Sequence, residues 1–440
     1  GFLLFLASIY WFIGPNYFAA RVIQCFLTAT LSVLTFLLGK ELFDRRVAKL
    51  GAIFVALYPP LIVHAAALMT ENLFMPLLLL ALWLFVHPKS RSCPICVWMP
   101  ALAMALAIAV RPTLTLFLFV VIVWFIKCGP NLKTALVRSA ILLTVWLVVV
   151  TPWCIRNYYQ AGRFMYLDAL TGYNLYMGYN EQATGSFDIS SANQLFTVLI
   201  EKHFKPALGG ELSEGQIAEY ARQEYSEFKH PDFPNVHPYT PRQINPGTSD
   251  NVMEDWGSQK AVEFIEQHPW HALKLTAFKF MHFWGLEHRL FIFAYSHNLL
   301  GHLSTPMLVL LFAALLLPYA ILLVLAIVGI MHLPNHARHL FVPCGLILYY
   351  TAMHSVVFGE PRFRYVIMPI IALLSASGLL QLRRILFQRG TERITSPIRL
   401  AVTIVTSIAF LGVCSFSLYS AWDKFTIIFG PNGHLSFLPF

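Results

Sequence analysis

The sequence predicts an α-helical polytopic membrane protein of about ten membrane helices. It also predicts one large extracytoplasmic domain, mixed α/β or mainly helical. Three observations lead there. Mean hydropathy is +0.63, 57% of residues are hydrophobic and only 12% are charged, which excludes an ordinary soluble domain. Apolar runs near the ~20 residues needed to cross a hydrocarbon core recur along the chain. The third is charge segregation: residues 155–300 hold sixteen of the 22 acids and eleven basic residues, about −5 net, against about +14 for the remainder.

In chain order, the apolar spans lie at about 18–39, 50–67, 72–87, 97–110, 112–127, 138–154, 304–330, 340–357, 365–382 and 399–419. Residues 2–13 form a further short apolar segment. The expected divisions are membrane helices over 1–154, an extracytoplasmic domain over 155–303, membrane helices over 304–420 and an outward tail over 421–440. The chain begins at Gly1 rather than Met and shows no signal-peptide pattern, so an N-terminally truncated chain is expected.

Positive charge sets the orientation. One set of alternate connections holds Lys40, Arg45, Arg46, Lys49, Lys89, Arg91, Lys127, Lys133, Arg138, Arg338, Arg383, Arg384, Arg389, Arg393 and Arg399, fifteen of the 31 Lys and Arg. That face is read as cytoplasmic. The opposite face then carries Thr70-Glu71-Asn72, Arg111-Pro112, the 359–364 segment and all of 155–303. The chain is therefore expected in the cytoplasmic (inner) membrane, with its large loop outside.

Within the polar segment, 211–229 reads as an amphipathic helix and 230–249, with five prolines, as an irregular connector. Residues 251–268 read as a helix capped by Asp250 or Asn251. Residues 271–300 carry Lys274, Phe278, Lys279, Phe280, Phe283 and Trp284, a pattern suited to a helix at the membrane surface. The stretch 151–188, rich in Gly, Asn and Tyr, marks where the chain leaves the membrane.

Ionisable residues at bilayer depth are costly, so their placement is informative. Glu71, Arg111, Arg156, Glu360, Arg362 and Arg364 fall at outer helix ends, and none at a helix midpoint. Guanidinium forks match phosphate oxygens, so arginines there suit an anionic lipid head group. Snorkelling to the interface would equally place Arg111 and Arg362. Glu71 could serve as a general base or orient a hydroxyl; it could also be a helix N-terminal acid with Thr70 as cap. His268-x-x-His271 approaches ligand spacing, but no Cys or carboxylate completes a metal motif. Cys93-Pro-Ile-Cys96 looks like half a zinc site with no second half nearby, and the seven scattered cysteines imply no disulfide framework.

Four stretches resemble a known family. They are Ala20-Arg21-Val22-Ile23-Gln24 with the basic loop to Gly51, the Tyr58–Phe74 hairpin with its outward acid, the 151–185 exit and Gly359–Pro369. The exit holds Pro-Trp-x-x-Arg-Asn, then Gly-Tyr-Asn-Leu-Tyr-x-Gly. Together these resemble the GT-C superfamily of polytopic glycosyltransferases, in its protein-mannosyltransferase-like and aminoarabinose-transferase-like branch. The resemblance implies inverting transfer of a sugar from a polyprenyl-phosphate donor to a glycan, lipid or protein acceptor outside the membrane, as in protein glycosylation or lipopolysaccharide modification. It implies a carboxylate base in the first outward loop. No acid precedes Glu41, so that base is expected upstream of Gly1, with Glu71 as the catalytic-site acid of this chain. Substrate binding is expected from Arg111, Arg156, Asn157, Tyr173, Asn174, Tyr179, Asn180, Arg362 and Arg364. No cofactor and no nucleic-acid partner are implied; whether a divalent metal is needed stays open. Two alternatives share the outward arginines: a polyprenyl-linked glycan transporter or flippase, and an O-antigen ligase or polymerase-type envelope enzyme.

Overall fold

The computed structural model describes residues 1–167, 171–186, 246–296, 301, 303–331, 333, 340–387 and 397–430. Among these the chain is helical, with no strand. Five helices are long and apolar enough to cross a membrane, namely Tyr17–Leu42, Leu132–Gln160, Thr305–Met331, Pro361–Ile385 and Arg399–Tyr419. A sixth span results if Arg45–Ala56 and Pro59–Ala65, bent by 55°, count as one. The chain is thus a multi-pass membrane protein by helix length and composition. The other expected spans appear as shorter apolar helices, including Glu71–Val86, Ile95–Val110, Pro112–Cys128 and Phe341–Val356.

The first unit comprises Gly1–Val150, Lys279–Ser355 and Gly359–Phe440. Its helix boundaries follow local chemistry. Asn16 accepts the Ala19 amide at 3.0 Å to start one helix, and Asp44 accepts the Arg46 and Val47 amides at 2.7 and 2.8 Å to start the next. Pro59-Pro60 removes two backbone donors and disfavours α geometry just before it, which accounts for the bend there.

The Met368–Phe387 helix is the axis of this unit. The span containing it is 78% buried, whereas the other spans range from 17 to 33%. It packs on Thr305–Met331, Arg45–Ala56 and Tyr17–Leu42. Against Thr305–Met331 the backbones nearly touch. A Cβ on Gly378 would strike the Leu325 carbonyl, and one on Gly329 the Leu374 carbonyl. Ser375 Oγ donates to Leu322 O at 2.6 Å across the same crossing. Small residues at close crossings are how apolar helices gain packing and hydrogen bonds inside lipid.

The second unit comprises Thr151–Phe278 and Val356–Phe358. Its described part packs Thr171–Gly178 on Pro246–Gln267 around Tyr179, Ala183, Ala261, Phe264, Ala272 and Leu275. Asp255 accepts both 2.7 Å bonds from Arg163 Nη1, and the Gly172 amide donates to Glu254 at 2.8 Å.

Three sequence expectations change here. The helix expected over 251–268 begins at Pro246, so Asp250 and Asn251 lie inside it rather than capping it. Proline suits the first helical turn, where its missing N–H costs nothing. Residues 246–249 accordingly leave the irregular connector. The surface helix expected over 271–300 is two helices, Pro269–Trp284 and His288–Ser296, broken at Gly285. The helix expected over 211–229 lies outside the described residues, as does the 431–440 part of the tail.

Candidate functional site

Within the first unit the structure brings Glu71 and Arg111 together. Arg111 ends the Trp98–Val110 helix in extended geometry, and its Nη1 meets Glu71 Oε1 at 2.6 Å. Thr70 Oγ1 donates to the other carboxylate oxygen at 3.0 Å. The acid side chain is only 7% exposed, so its charge is held by these partners rather than by water. The Arg111 guanidinium also lies 5.5 Å from the centre of the Phe363 ring, and Arg362 lies 5.1 Å from the same ring. The two cations therefore share one aromatic ring. Arg111 is half-buried, whereas Arg362 is exposed and makes no ion pair or hydrogen bond among the described residues.

A buried amide network fixes the turn that presents Glu71. Asn72 Nδ2 donates to Ala67 O at 2.8 Å and His64 O at 3.2 Å, and Gln24 Nε2 donates to Met69 O at 3.0 Å. His64 Nδ1 lies 3.4 Å from Asn72 Oδ1, and the His64 ring stands edge-on to Tyr365 at 5.1 Å. Its Nε2 is buried without a hydrogen-bond partner among the described residues. Beside this network, Cys25, Thr28, Ala29, Leu31, Ser32, Val55, Leu61 and Ala65 are among the residues lining an apolar groove of about 420 Å3. Its Leu61–Ala65 wall is the same short helix that carries His64.

Arg364 sits differently from Arg362. It is fully buried; its Nη1 donates to Phe283 O at 2.8 Å and to Gly285 O, and its guanidinium lies 3.6 Å over the Tyr319 ring. Tyr319 Oη donates to Trp284 O at 2.9 Å, and Ser417 Oγ to Leu286 O at 3.2 Å. These bonds hold the break between the two helices. Glu287 follows in the same loop, where burial pushes its carboxyl up. The neighbouring His288 Nδ1 lies 3.2 Å from Leu286 O and 3.1 Å from Ser417 Oγ. Burial, then the nearby Arg289, lower this imidazole to about 3. Arg289 in turn pairs with Glu360 at 2.7 Å.

The remaining expected residues belong to the second unit. Arg156 is exposed and donates to Asn157 Oδ1 at 3.1 Å, while Asn157 Nδ2 donates to Tyr166 O at 3.1 Å. Tyr173 and Asn174 are half-buried on the Thr171–Gly178 helix. Tyr179 is buried with its hydroxyl 3.1 Å from Thr276 Oγ1, and Asn180 is buried, donating to Tyr176 O at 2.7 Å. His268 and His271 are both exposed and flank the Phe264 ring. No group of three His, Cys, Asp or Glu is assembled among the described residues.

Sequence reasoning gave no role to Gln24, His64, Asn72, Tyr319 or Glu287. The usable signal was a polar side chain inside an apolar run, as at Gln24 and His64, which demands a buried partner.

Fold and site together define a multi-pass helical membrane protein with a charged cluster at helix ends. No protein-family model matches the sequence, and no curated protein matches it. Two solved structures are similar. One is the archaeal oligosaccharyltransferase AglB from Archaeoglobus fulgidus in complex with an inhibitory peptide and a dolichol-phosphate. It is 14% identical with a TM-score of 0.39, covering 100% of this chain and 51% of that one. The other is the apo form of the Archaeoglobus fulgidus oligosaccharyltransferase, at 15% identity and a TM-score of 0.35, covering 100% and 52%. The chain spans about half the length of these structures.

Proposed function

We propose that this chain belongs to a glycosyltransferase that moves a sugar from a polyprenyl-phosphate donor to an acceptor outside the membrane, with inversion. The observation that carries the reading is the convergence of Arg111 and Arg362 on the Phe363 ring beside Glu71. Arg111 is already neutralised by Glu71. Arg362 is exposed, with its donors uncommitted among the described residues, so the cluster can accept one anionic group. A phosphate fits the planar guanidinium fork. The apolar groove lined by the helix that carries His64 suits a prenyl tail.

In this reading the acceptor oxygen attacks the anomeric carbon from the face opposite the phosphate. The carbon–oxygen bond to phosphate breaks and its electron pair stays on the phosphate oxygen. Arg362, with Arg111 behind it, stabilises the charge that develops there. The acceptor proton passes to a carboxylate base, which the family resemblance places in the first outward loop. Glu71 is clamped by Arg111 and Thr70, so its role is to orient a hydroxyl rather than to take its proton. Arg364 positions the 283–287 loop. Arg156, Asn157, Tyr173, Asn174, Tyr179 and Asn180 are assigned to sugar and acceptor recognition on their own unit.

The test is transfer of a labelled sugar from a polyprenyl-phosphate sugar by membranes carrying the protein. Arg362→Ala and Glu71→Gln are each expected to lower transfer at least about tenfold, the loss of one charge-assisted contact. Unchanged transfer in both would overturn the assignment. A transporter of the same lipid would bind the phosphate and leave the sugar bond intact.

A further inference from the structure

Arg111 and Arg362 share the Phe363 ring, and that ring is backed by two others. Phe363 is buried in the Pro361–Ile367 turn. The His354 imidazole, from the Phe341–Val356 helix, stacks on it with ring centres 4.4 Å apart and planes 13° from parallel. Phe283, in the last turn of Pro269–Trp284, stacks on the same imidazole at 5.5 Å and 10°. Near-parallel rings from three helices thus have His354 at their centre. Tyr350, one turn earlier on its helix, tilts against the imidazole at 5.6 Å. Phe283, His354 and Phe363 are all buried.

The stack is tied back to the segment it supports. Arg364 Nη1 donates to Phe283 O at 2.8 Å, so the backbone under the far ring is held from the residue next to Phe363. Face-to-face packing then fixes the plane of Phe363, because an offset parallel neighbour resists tilting of the ring. That plane matters to the cations. A guanidinium is drawn to the electron-rich face of a ring, so its position follows the face. Arg111 has other anchors, the Glu71 carboxylate at 2.6 Å and the Phe74 ring at 6.0 Å. Arg362 makes no ion pair or hydrogen bond among the described residues, and it rests on the Phe363 ring at 5.1 Å.

We propose that His354 is a positioning residue for phosphate recognition, an inference that rests on the function proposed above. By stacking on Phe363 it fixes the face on which the Arg362 guanidinium lies, and with it the direction in which that fork meets an oxyanion. His354 itself touches no ligand in this scheme, since rings cover it on both sides. What it supplies is a flat partner of ring size, so planarity matters here rather than charge or proton transfer. A branched aliphatic side chain of similar bulk fills the space without holding a plane. Loss of the stack leaves Arg362 present but free to sample orientations. The phosphate contact then loses the preorganisation that gives it strength. A prenyl tail, which meets apolar side chains, is indifferent to the change.

The experiment measures equilibrium binding of a polyprenyl phosphate and of the matching polyprenyl alcohol to the purified whole protein in detergent. Thermal unfolding shows that each variant is folded. His354→Leu is expected to lower the phosphate-over-alcohol preference about three- to tenfold, the range of one lost aromatic pair. His354→Phe, which keeps a ring in the stack, should hold the preference within about twofold of the wild type. A residue that only fills the core would shift the melting temperature and leave that preference alone. A folded His354→Leu with the wild-type preference would therefore overturn the proposal and leave the phosphate reading of Arg362 standing. So would a His354→Phe that loses as much as His354→Leu. A wild type that binds phosphate and alcohol alike would instead remove the phosphate reading itself, and the proposal with it. Where His354→Leu does not fold, Phe283→Leu opens the stack from its far ring and should lower the preference in the same direction; no change there overturns the proposal equally.

Discussion

Arg111 closes a 2.6 Å ion pair on Glu71 while lying 5.5 Å from the Phe363 ring that Arg362 also approaches. One acid, already neutralised, therefore leaves the second arginine as the uncompensated charge of the cluster. Under the proposed function, that difference separates a stability role for Arg111 from a ligand role for Arg362.

Removing Arg111 strands a nearly buried carboxylate. Arg111→Ala is expected to destabilise the detergent-solubilised protein by about 3 kcal/mol, the size expected when one partner of a buried pair is lost. Glu71→Gln/Arg111→Met should recover much of that loss. Thermal unfolding of the two single variants and the double variant measures the coupling directly. Additive effects would mean that the two side chains do not meet.

The axis helix gives a packing prediction. Gly378→Ala would drive a methyl into the Leu325 carbonyl, backbone that cannot swing aside. A cost of about 1–3 kcal/mol is expected, typical of overpacking. Gly412→Ala, where nothing lies within 4 Å, should be close to neutral. Paired melting curves compare the two.

Arg364→Lys keeps the charge but loses the fork that spans the Phe283 and Gly285 carbonyls and the flat face over Tyr319. Hydrogen exchange in residues 284–288 should accelerate in this variant. The same amides should be unaffected in Arg362→Ala, whose guanidinium faces outward.

His288 sets an acid limit. Its imidazole is lowered to about 3 in the folded protein, by burial first and then by Arg289. An unfolded histidine titrates near 6.5. Between those values the unfolded chain binds the extra proton, so stability is fully present above about pH 6.5 and falls as pH drops towards 3. Lys424 and His282 also oppose the charged form. His288→Gln should flatten this part of a stability–pH curve measured by thermal unfolding; an unchanged slope would place the acid sensitivity elsewhere.

Much of the helical framework was legible because apolar length is a direct physical signal in a membrane chain. The 17–42, 305–331 and 397–419 helices fall within a few residues of their expected spans. The break at Gly285 was not legible, since it depends on Arg364 and Ser417, which are remote in sequence. The contrast between Arg362 and Arg364 was hidden for a local reason. Pro361–Ile367 is a 3-10 helix with three residues per turn, so side chains two apart point well away from each other. Sequence alone offered Arg-Phe-Arg as a pair; the turn geometry sends one out and one in. Glu71 and Arg111 were both legible as helix-end charges, but not as partners, because forty residues separate them.

In the proposed function Arg362 receives the phosphate of a prenyl lipid. Equilibrium binding of a polyprenyl phosphate and of the matching polyprenyl alcohol, to the wild type and to Arg362→Ala, puts this to the test. A preference for the phosphate of about tenfold or more in the wild type, erased in Arg362→Ala while alcohol binding is unchanged, is the predicted result. The same phosphate preference in both proteins would contradict it.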